Sequence, residues 1–180
     1  MTVEEQIAHI VDAYEGERFT TDPSDLGGPS RWGVTLRTLQ AYRRTLRGDP
    51  TLVLTAADVE TMTRAEAIDI GVSLYATRSG LRFILHDGLR FVALDYAWHA
   101  GTRAAICALQ RAVGVEVDGI FGPVSQDAVN GHANPVQLGA RVLAIRSEAL
   151  IAQVHAHESQ RRFALGWWAR ITSNARQLAA

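Results

Sequence analysis

The sequence predicts a mainly α-helical protein with one small irregular or β-hairpin segment near its start. Three observations predict this class. Apolar residues recur at helical spacing through most of the 180 residues. Thr or Asn side chains that can cap a helix stand ahead of several of these runs. Residues 17–34, in contrast, lack helical periodicity and are rich in turn-forming residues.

The first helix is predicted from its cap and its apolar spacing. Thr2 and Glu5 have the spacing of a capping box, in which each side chain bonds the backbone N–H of the other residue. Gly16 is a suitable stop, so the helix should end at Glu15. The inward positions predicted for this helix are Val3, Ile7, Ile10, Val11 and Tyr14.

Five further helical runs follow, and 88–101, GLRFVALDYAWHAG, is apolar enough to be a central helix. The predicted caps of four of these runs are Thr35, Thr63, Thr102 and Asn134, and the central run begins at Gly88. Neither a linker nor an internal repeat is visible. We therefore predict two regions, 1–85 and 86–180, packed as one globular unit.

Composition limits the classes of function. The net charge is −1, and all 18 basic residues are arginine. A chain so close to neutral lacks the basic face that nucleic-acid binding usually needs. The single cysteine, Cys107, excludes an internal disulfide, and the histidines show no metal-ligand spacing, so we expect neither a metal nor a cofactor.

The first residues, MTVEEQIAHI, resemble no Sec signal, because they carry two glutamates and no basic or strongly apolar region. No apolar stretch approaches the ~20 residues of a membrane span. We therefore expect synthesis in the cytoplasm, no stable membrane insertion, and a monomer. Any target outside the inner membrane would then be reached by another route.

Carboxylates mark the most informative stretch, YEGERFTTDPSDLGGPSRWGVT. Glu15 stands at the carboxyl end of the first helix, where the helix dipole and partial burial favour the protonated form that a general acid needs. Asp22 and Asp25 flank a Pro-Ser turn that is followed by two glycines. A solvated glutamate and two turn-forming aspartates would also fit, but paired carboxyl groups in this order are typical of glycoside hydrolysis.

This stretch resembles the signature of glycoside hydrolase family 108, the N-acetylmuramidases of phage endolysins and secretion systems. The matching residues are Glu15-Gly16, Asp22-Pro23, Asp25, Gly27-Gly28 and Gly33-Val34-Thr35. Residues 94–129 resemble the family's C-terminal predicted peptidoglycan-binding region, and FALGWWARI at 163–171 resembles its closing motif. Three positions depart from the pattern: Glu17 replaces a glycine, Ser30 a threonine and His99 an asparagine.

The resemblance implies a lysozyme-like fold with a catalytic region at 1–85 and a peptidoglycan-binding region at 86–180. Glu15 would be the acid that cuts the β-1,4 bond between N-acetylmuramic acid and N-acetylglucosamine. Asp25 or Asp22 would be the second carboxylate, and Ser30 would hold a water. The same resemblance implies substrate contacts by Thr35, Asp95 and His99, although a purely structural helical histidine would also fit His99. Because sugar rings stack on aromatic faces, Trp32 and Trp168 are further candidates for substrate contact.

The partner implied is the glycan strand of peptidoglycan, and the role is phage or prophage host lysis, with a holin providing access to the wall. Two alternatives remain open. A non-catalytic peptidoglycan-binding protein would explain the extra carboxylate of Glu17. A muramidase that opens the wall for export of a toxin or particle would use an export channel instead of a holin.

Overall fold

The computed structural model describes residues 1–21 and 28–179. The chain is mainly α-helical with one small antiparallel hairpin, as the sequence predicts. It divides into two compact units, Thr2–Leu74 and Tyr75–Ala180, the second of which includes Met1. The predicted boundary at residue 85 stays a prediction.

Among its described residues, the first unit holds four helices, which are α1 Val3–Ile10, α2 Leu36–Arg47, α3 Ala56–Glu60 and α4 Arg64–Ile70. The capping box of α1 is confirmed, since Glu5 N–H donates to Thr2 Oγ1 at 3.1 Å and Thr2 N–H donates to Glu5 Oε2 at 2.8 Å. A π-helical turn, Val11–Glu15, extends α1, so the helix ends at Glu15 as predicted. A second π-helical segment, Gly71–Thr77, extends α4.

The hairpin consists of β1, Ser30–Arg31, and β2, Val34–Thr35. Ser30 lies opposite Thr35, and Arg31 lies opposite Val34. Thr20 pairs with the outer side of β1 through two backbone hydrogen bonds to Ser30, of 2.9 and 3.0 Å. The turn-rich stretch after the first helix therefore contains a hairpin, which confirms that prediction.

The apolar spacing of the first helix becomes the core of its unit. Ile7, Ile10 and Val11 are fully buried. The other apolar residues buried in this unit are Val34, Leu39, Leu54, Val59, Met62, Ala67 and Ile70. The hairpin and the helix that carries Glu15 therefore each contribute to the apolar interior of the same unit.

In the part of the second unit that the structure describes there are five helices, which are α5 Asp87–Ala100, α6 Thr102–Val113, α7 Pro123–Asn130, α8 Pro135–Ala156 and α9 Ala164–Ala179. Short 3₁₀ turns, Leu81–Phe83 and Glu158–Phe163, precede α5 and α9. Helix α5 packs against α6, α8 and α9, and every residue from Gly88 to Trp98 is buried. Burial on all sides explains why its sequence is apolar without a polar face, and it confirms the predicted central helix.

One predicted cap is wrong. Thr102 is the first residue of α6, and Gly101 is the residue that caps it. A single residue separates α5 from α6, and the chain turns there with a φ of 90°. Glycine reaches this region readily, whereas threonine does not, so Gly101 takes the position between the helices.

The start of the last long helical stretch is confirmed, because Gln137 N–H donates to Asn134 Oδ1 at 2.8 Å. Within the described residues, no helix is both long and apolar enough to cross a membrane.

Candidate active site

Glu15 stands on the π-helical turn that ends the first helix. The Gly16 N–H donates to Val11 C=O at 3.2 Å, five residues back, which is the π-helical pattern. Gly16 then turns the chain away with a φ of 67°, and the Glu15 side chain is half-buried. Such widened turns are frequent at functional sites.

An ion pair holds this turn to helix α4 of the same unit. Arg64, the first residue of α4, donates to both carboxylate oxygens of Asp12 at 2.7 Å. The geometry is bidentate, which fixes orientation as well as distance. The turn that carries Glu15 is thereby tied at its first residues to α4.

The hairpin turn lies directly against the Glu15 carboxyl group. Trp32 and Gly33 form a two-residue turn with φ angles of 53° and 71°, the positive values that a tight hairpin turn of type I′ requires. A Cβ added to Gly33 would lie 2.5 Å from both Cδ and Oε2 of Glu15. A side chain at this position would displace the Glu15 carboxyl group, so glycine permits the hairpin to approach it.

Trp32 occupies a backbone region that bulky residues rarely adopt. Its ring is half-buried, and its Nε1 is buried with no hydrogen-bond partner among the described residues. Unusual backbone conformations persist where the surroundings enforce them, and they are concentrated at active sites and ligand clamps. The structure therefore places the predicted aromatic residue of the hairpin one position from the contact with Glu15.

Arg31 holds the hairpin in place, a role that the sequence does not reveal. Its Nε donates to the Glu17 C=O at 3.1 Å, and its Nη2 lies 3.0 Å from Glu17 Oε1. Its Nη1 donates to the Glu60 C=O at the end of α3. Glu17, which departs from the family pattern, thus has Arg31 as its ion-pair partner. The positive charge of Arg31 offsets the extra carboxylate near Glu15.

Ser30 and Thr35 face each other across the hairpin. The Thr35 Oγ1 accepts from the Thr38 N–H at 3.3 Å and so caps α2. This bond gives Thr35 a local structural task, and its contact with substrate stays a prediction. Asp22 and Asp25 lie outside the described residues, and the choice between them stays open.

Three predicted site residues belong to the second unit, and the structure describes a different environment for each. Asp95, in the middle of α5, is fully buried. Its carboxylate is bound by Arg146 Nη1 at 2.6 Å, Arg170 Nε at 2.9 Å and Asn174 Nδ2 at 2.8 Å. Burial opposes ionisation, but the guanidinium charges of Arg170 and Arg146 outweigh it and hold the pKa of Asp95 below its usual value.

These contacts join α5, α8 and α9 through one carboxylate. We attribute a structural role to Asp95, since it is fully buried and its carboxylate is bound by side chains of α8 and α9. A direct contact with sugar stays a prediction that this geometry does not favour. One signal for this pairing is visible along the chain, because Asp95 and Arg170 both belong to motifs shared with the family.

His99 lies one helical turn after Asp95, with its ring 5.7 Å from that of Trp167 in an edge-to-face arrangement. Burial and the charges of Arg146 and Arg170 lower the pKa of His99 to about 3, although Asp95 opposes this shift. Trp168, the next residue along, is 37% exposed on α9. The Trp167 ring is therefore packed against neighbours, and Trp168 lies at the surface.

No group of three or more metal-ligating side chains comes together within 1–21 and 28–179. The chemistry that the described site can supply is that of the Glu15 carboxyl group and the hairpin beside it. Such a carboxyl can give a proton to a leaving oxygen or take one from water.

Comparison with known proteins decides the family. Residues 8–101 match the model of glycosyl hydrolase 108, and residues 104–172 match that of a predicted peptidoglycan domain. The chain belongs to glycosyl hydrolase family 108. It is a glycoside hydrolase that acts on peptidoglycan.

A solved structure supports the same conclusion for this family 108 protein. The structure of SagA from Brucella abortus superposes with a TM-score of 0.78 at 28% identity, covering 97% of this chain and 92% of SagA. The predicted mainly α, lysozyme-like fold is thereby confirmed. The comparison with curated proteins gives no match.

Proposed function

We propose that the chain is an N-acetylmuramidase that cleaves the β-1,4 bond between N-acetylmuramic acid and N-acetylglucosamine. One observation carries this proposal. Glu15 is the last residue of the first helix, and its carboxyl group lies directly against the hairpin turn at Gly33. Both residues belong to the segment that matches the glycosidase family.

In the proposed reaction Glu15 protonates the glycosidic oxygen as the bond to the sugar breaks. The sugar then carries an oxocarbenium-like charge that a second carboxylate must stabilise or quench with water. Asp25 is our candidate for this carboxylate and Asp22 the alternative. A separation of ~5 Å from Glu15 would imply retention, and ~6.5–9.5 Å would imply inversion with a water held near Ser30.

The hairpin supports this role through positioning. Arg31 anchors β1 to Glu17 and Glu60, and Gly33 lets the turn approach Glu15. We assign the face of Trp32 to packing against a sugar ring, an interaction typical of aromatic side chains at such sites.

The test is the chemistry of the new chain ends. Purified sacculi are digested, the products are reduced with borohydride, and the muropeptides are analysed by mass spectrometry. A muramidase leaves reducible N-acetylmuramic acid ends, and Glu15→Gln should not produce them. New N-acetylglucosamine ends or 1,6-anhydro ends would contradict the proposed bond or the proposed hydrolysis.

The non-catalytic alternative rested on Glu17. The salt bridge between Glu17 and Arg31 weakens this argument, because the extra charge is compensated. Loss of turbidity of permeabilised Gram-negative cells separates the two functions, since a protein that only binds peptidoglycan clears nothing.

We propose that the enzyme reaches the wall through a separate protein, a holin in host lysis or an export channel in toxin or particle release. Expression in a Gram-negative host should give little lysis until chloroform or a holin is supplied. Spontaneous lysis, or recovery of the protein from the periplasm, would contradict it.

A further inference from the structure

The end of the chain differs in charge from the rest. Residues 159–180 contain four arginines and neither Asp nor Glu. The preceding 158 residues hold the other 14 arginines and all 19 acidic residues. The last turn and helix, 158–179, thus hold four arginines and one acidic residue, Glu158. Arg170 is buried against Asp95, and the other three arginines are exposed.

The two faces of α9 have different surroundings. Its inner face holds Arg170, Asn174 and Leu178, which are all buried, and the first two bind Asp95. The opposite face begins with Leu165, which is 85% exposed, and Trp168, which is 37% exposed. These two residues are three apart and therefore share one side of the helix.

Two exposed arginines precede this apolar pair along the chain. Arg161 and Arg162 lie on the 3₁₀ turn just before α9. Arg161 is 3.3 Å from Glu158, a surface pair of the kind that contributes little, and the Arg162 guanidinium lies 4.6 Å from the centroid of the Phe163 ring. The buried residues of α9 lie on its inner face, so the exposed leucine and tryptophan do not belong to this buried core.

We propose that Arg161, Arg162, Leu165 and Trp168, here called the α9 surface, dock reversibly on an anionic lipid bilayer. The arginines would be attracted to anionic headgroups, Leu165 would enter the acyl region, and Trp168 would lie at the interface. Charge complementarity favours an anionic occupant. The exposed leucine favours lipid over a sugar chain, because leucine offers a glycan no hydrogen bond.

Docking of this kind is peripheral, and it goes beyond hydrolysis of the wall. It would hold the enzyme beside the membrane surface while its active site acts on peptidoglycan. Because attraction by arginine is screened by salt, the affinity for anionic vesicles should fall as ionic strength rises.

The experiment compares sedimentation of the full chain with phosphatidylcholine vesicles and with vesicles that also contain phosphatidylglycerol. We expect binding only to the anionic vesicles. Leu165→Glu should reduce the partition coefficient roughly tenfold, as expected when one buried leucine is lost, and Arg161→Ser/Arg162→Ser should reduce it as well. Leu46→Glu is the matched control, since Leu46 is 69% exposed on α2 of the first unit, and it should bind like the unchanged protein.

Two further readouts separate docking from folding and from catalysis. Leu165→Glu should keep its melting temperature and its rate on purified sacculi. Anionic vesicles should shift the tryptophan emission to the blue, and Trp168→Phe should lose most of this shift. Equal binding to both kinds of vesicle, an equal effect of Leu46→Glu, or loss of sacculus binding in place of vesicle binding would each overturn the proposal.

Discussion

At the scale of single residues, the site depends on Gly33, which has no side chain. Gly33 leaves free the space that the Glu15 carboxyl group occupies, and any Cβ there would overlap it. Its φ of 71° also disfavours other residues. Two independent constraints therefore select glycine at one position, and only one of them concerns the acid.

Gly33→Ala should separate these constraints when it is compared with Gly48→Ala. Gly48 has a similar φ of 64°, but no atom lies within 4 Å of its added Cβ. Both variants should lose about 1–2 kcal/mol of unfolding free energy from backbone strain. Only Gly33→Ala should also lose most of its activity on sacculi, since it displaces the acid. Equal activity in the two variants would remove Gly33 from the site.

Glu15→Gln should lower the lytic rate about 10²–10⁴-fold, because glutamine keeps the shape of the side chain and cannot deliver a proton. The melting temperature should stay close to that of the unchanged protein. The measurement pairs a turbidity rate with a thermal melt. A folded variant that clears substrate within a few-fold of the original rate would contradict the assignment.

At the scale of elements, the π-helical turn and the hairpin form the site together. Arg64 fixes the turn through Asp12, and Arg31 fixes the hairpin through Glu17 and Glu60. The second carboxylate is expected between these two elements along the chain. Replacing this carboxylate should therefore lower the rate on sacculi more than it lowers the free energy of unfolding.

Asp25→Asn should lower activity more than it lowers the melting temperature, and Ser30→Ala should have a smaller effect on the rate. Asp22→Asn serves as the comparison, because Asp22 is the alternative carboxylate. Rates on sacculi are measured beside thermal melts for all three variants. If Asp25→Asn loses stability and keeps its rate, Asp25 shapes the turn and Asp22 becomes the candidate.

The second unit has an element-scale link of its own. Removing the charge of Asp95 would leave Arg146 and Arg170 buried without a counter-charge. Asp95→Asn should therefore lose about 3–5 kcal/mol of unfolding free energy, measured by urea denaturation. Asp87→Asn is the control on the same helix, since the Asp87 side chain is 54% exposed and its ion pairs should contribute about 1 kcal/mol or less. Similar losses of unfolding free energy in the two variants would refute the role of Asp95 in joining α5, α8 and α9.

At the scale of the whole molecule, His99 should make stability depend on pH. Its folded pKa of about 3 lies below the unfolded value of 6.5, so the unfolded chain binds more protons between these values. The free energy of unfolding should fall as the pH drops through this window, with a slope from His99 of at most about 1.4 kcal/mol per pH unit.

His99→Gln should flatten the dependence of unfolding free energy on pH between 6.5 and 4. His155→Gln, at an exposed position of α8, should leave it unchanged. Urea denaturation at several pH values supplies the curves. A His99→Gln protein with the original slope would show that other groups produce it.

The sequence by itself determined most of the helix starts and the position of Glu15 at the end of the first helix. Caps and stops act within a few residues, so Thr2, Thr35 and Asn134 could be recognised from their neighbours alone. Where one residue had to serve two helices, at Gly101, the local pattern pointed to Thr102 and failed. The motif around Glu15 likewise lies in one short stretch.

Only the tertiary structure decided which groups meet. Asp95 binds partners that lie 51, 75 and 79 residues away in sequence. A pattern read along the chain marked it as a candidate for sugar binding, whereas folding encloses it among cations. Arg31 and Gly33 acquire their roles in the same way, because their contacts with Glu17, Glu60 and Glu15 depend on how the chain folds back on itself. Spacing in sequence fixes which face of an element a residue occupies, and packing alone fixes what that face touches.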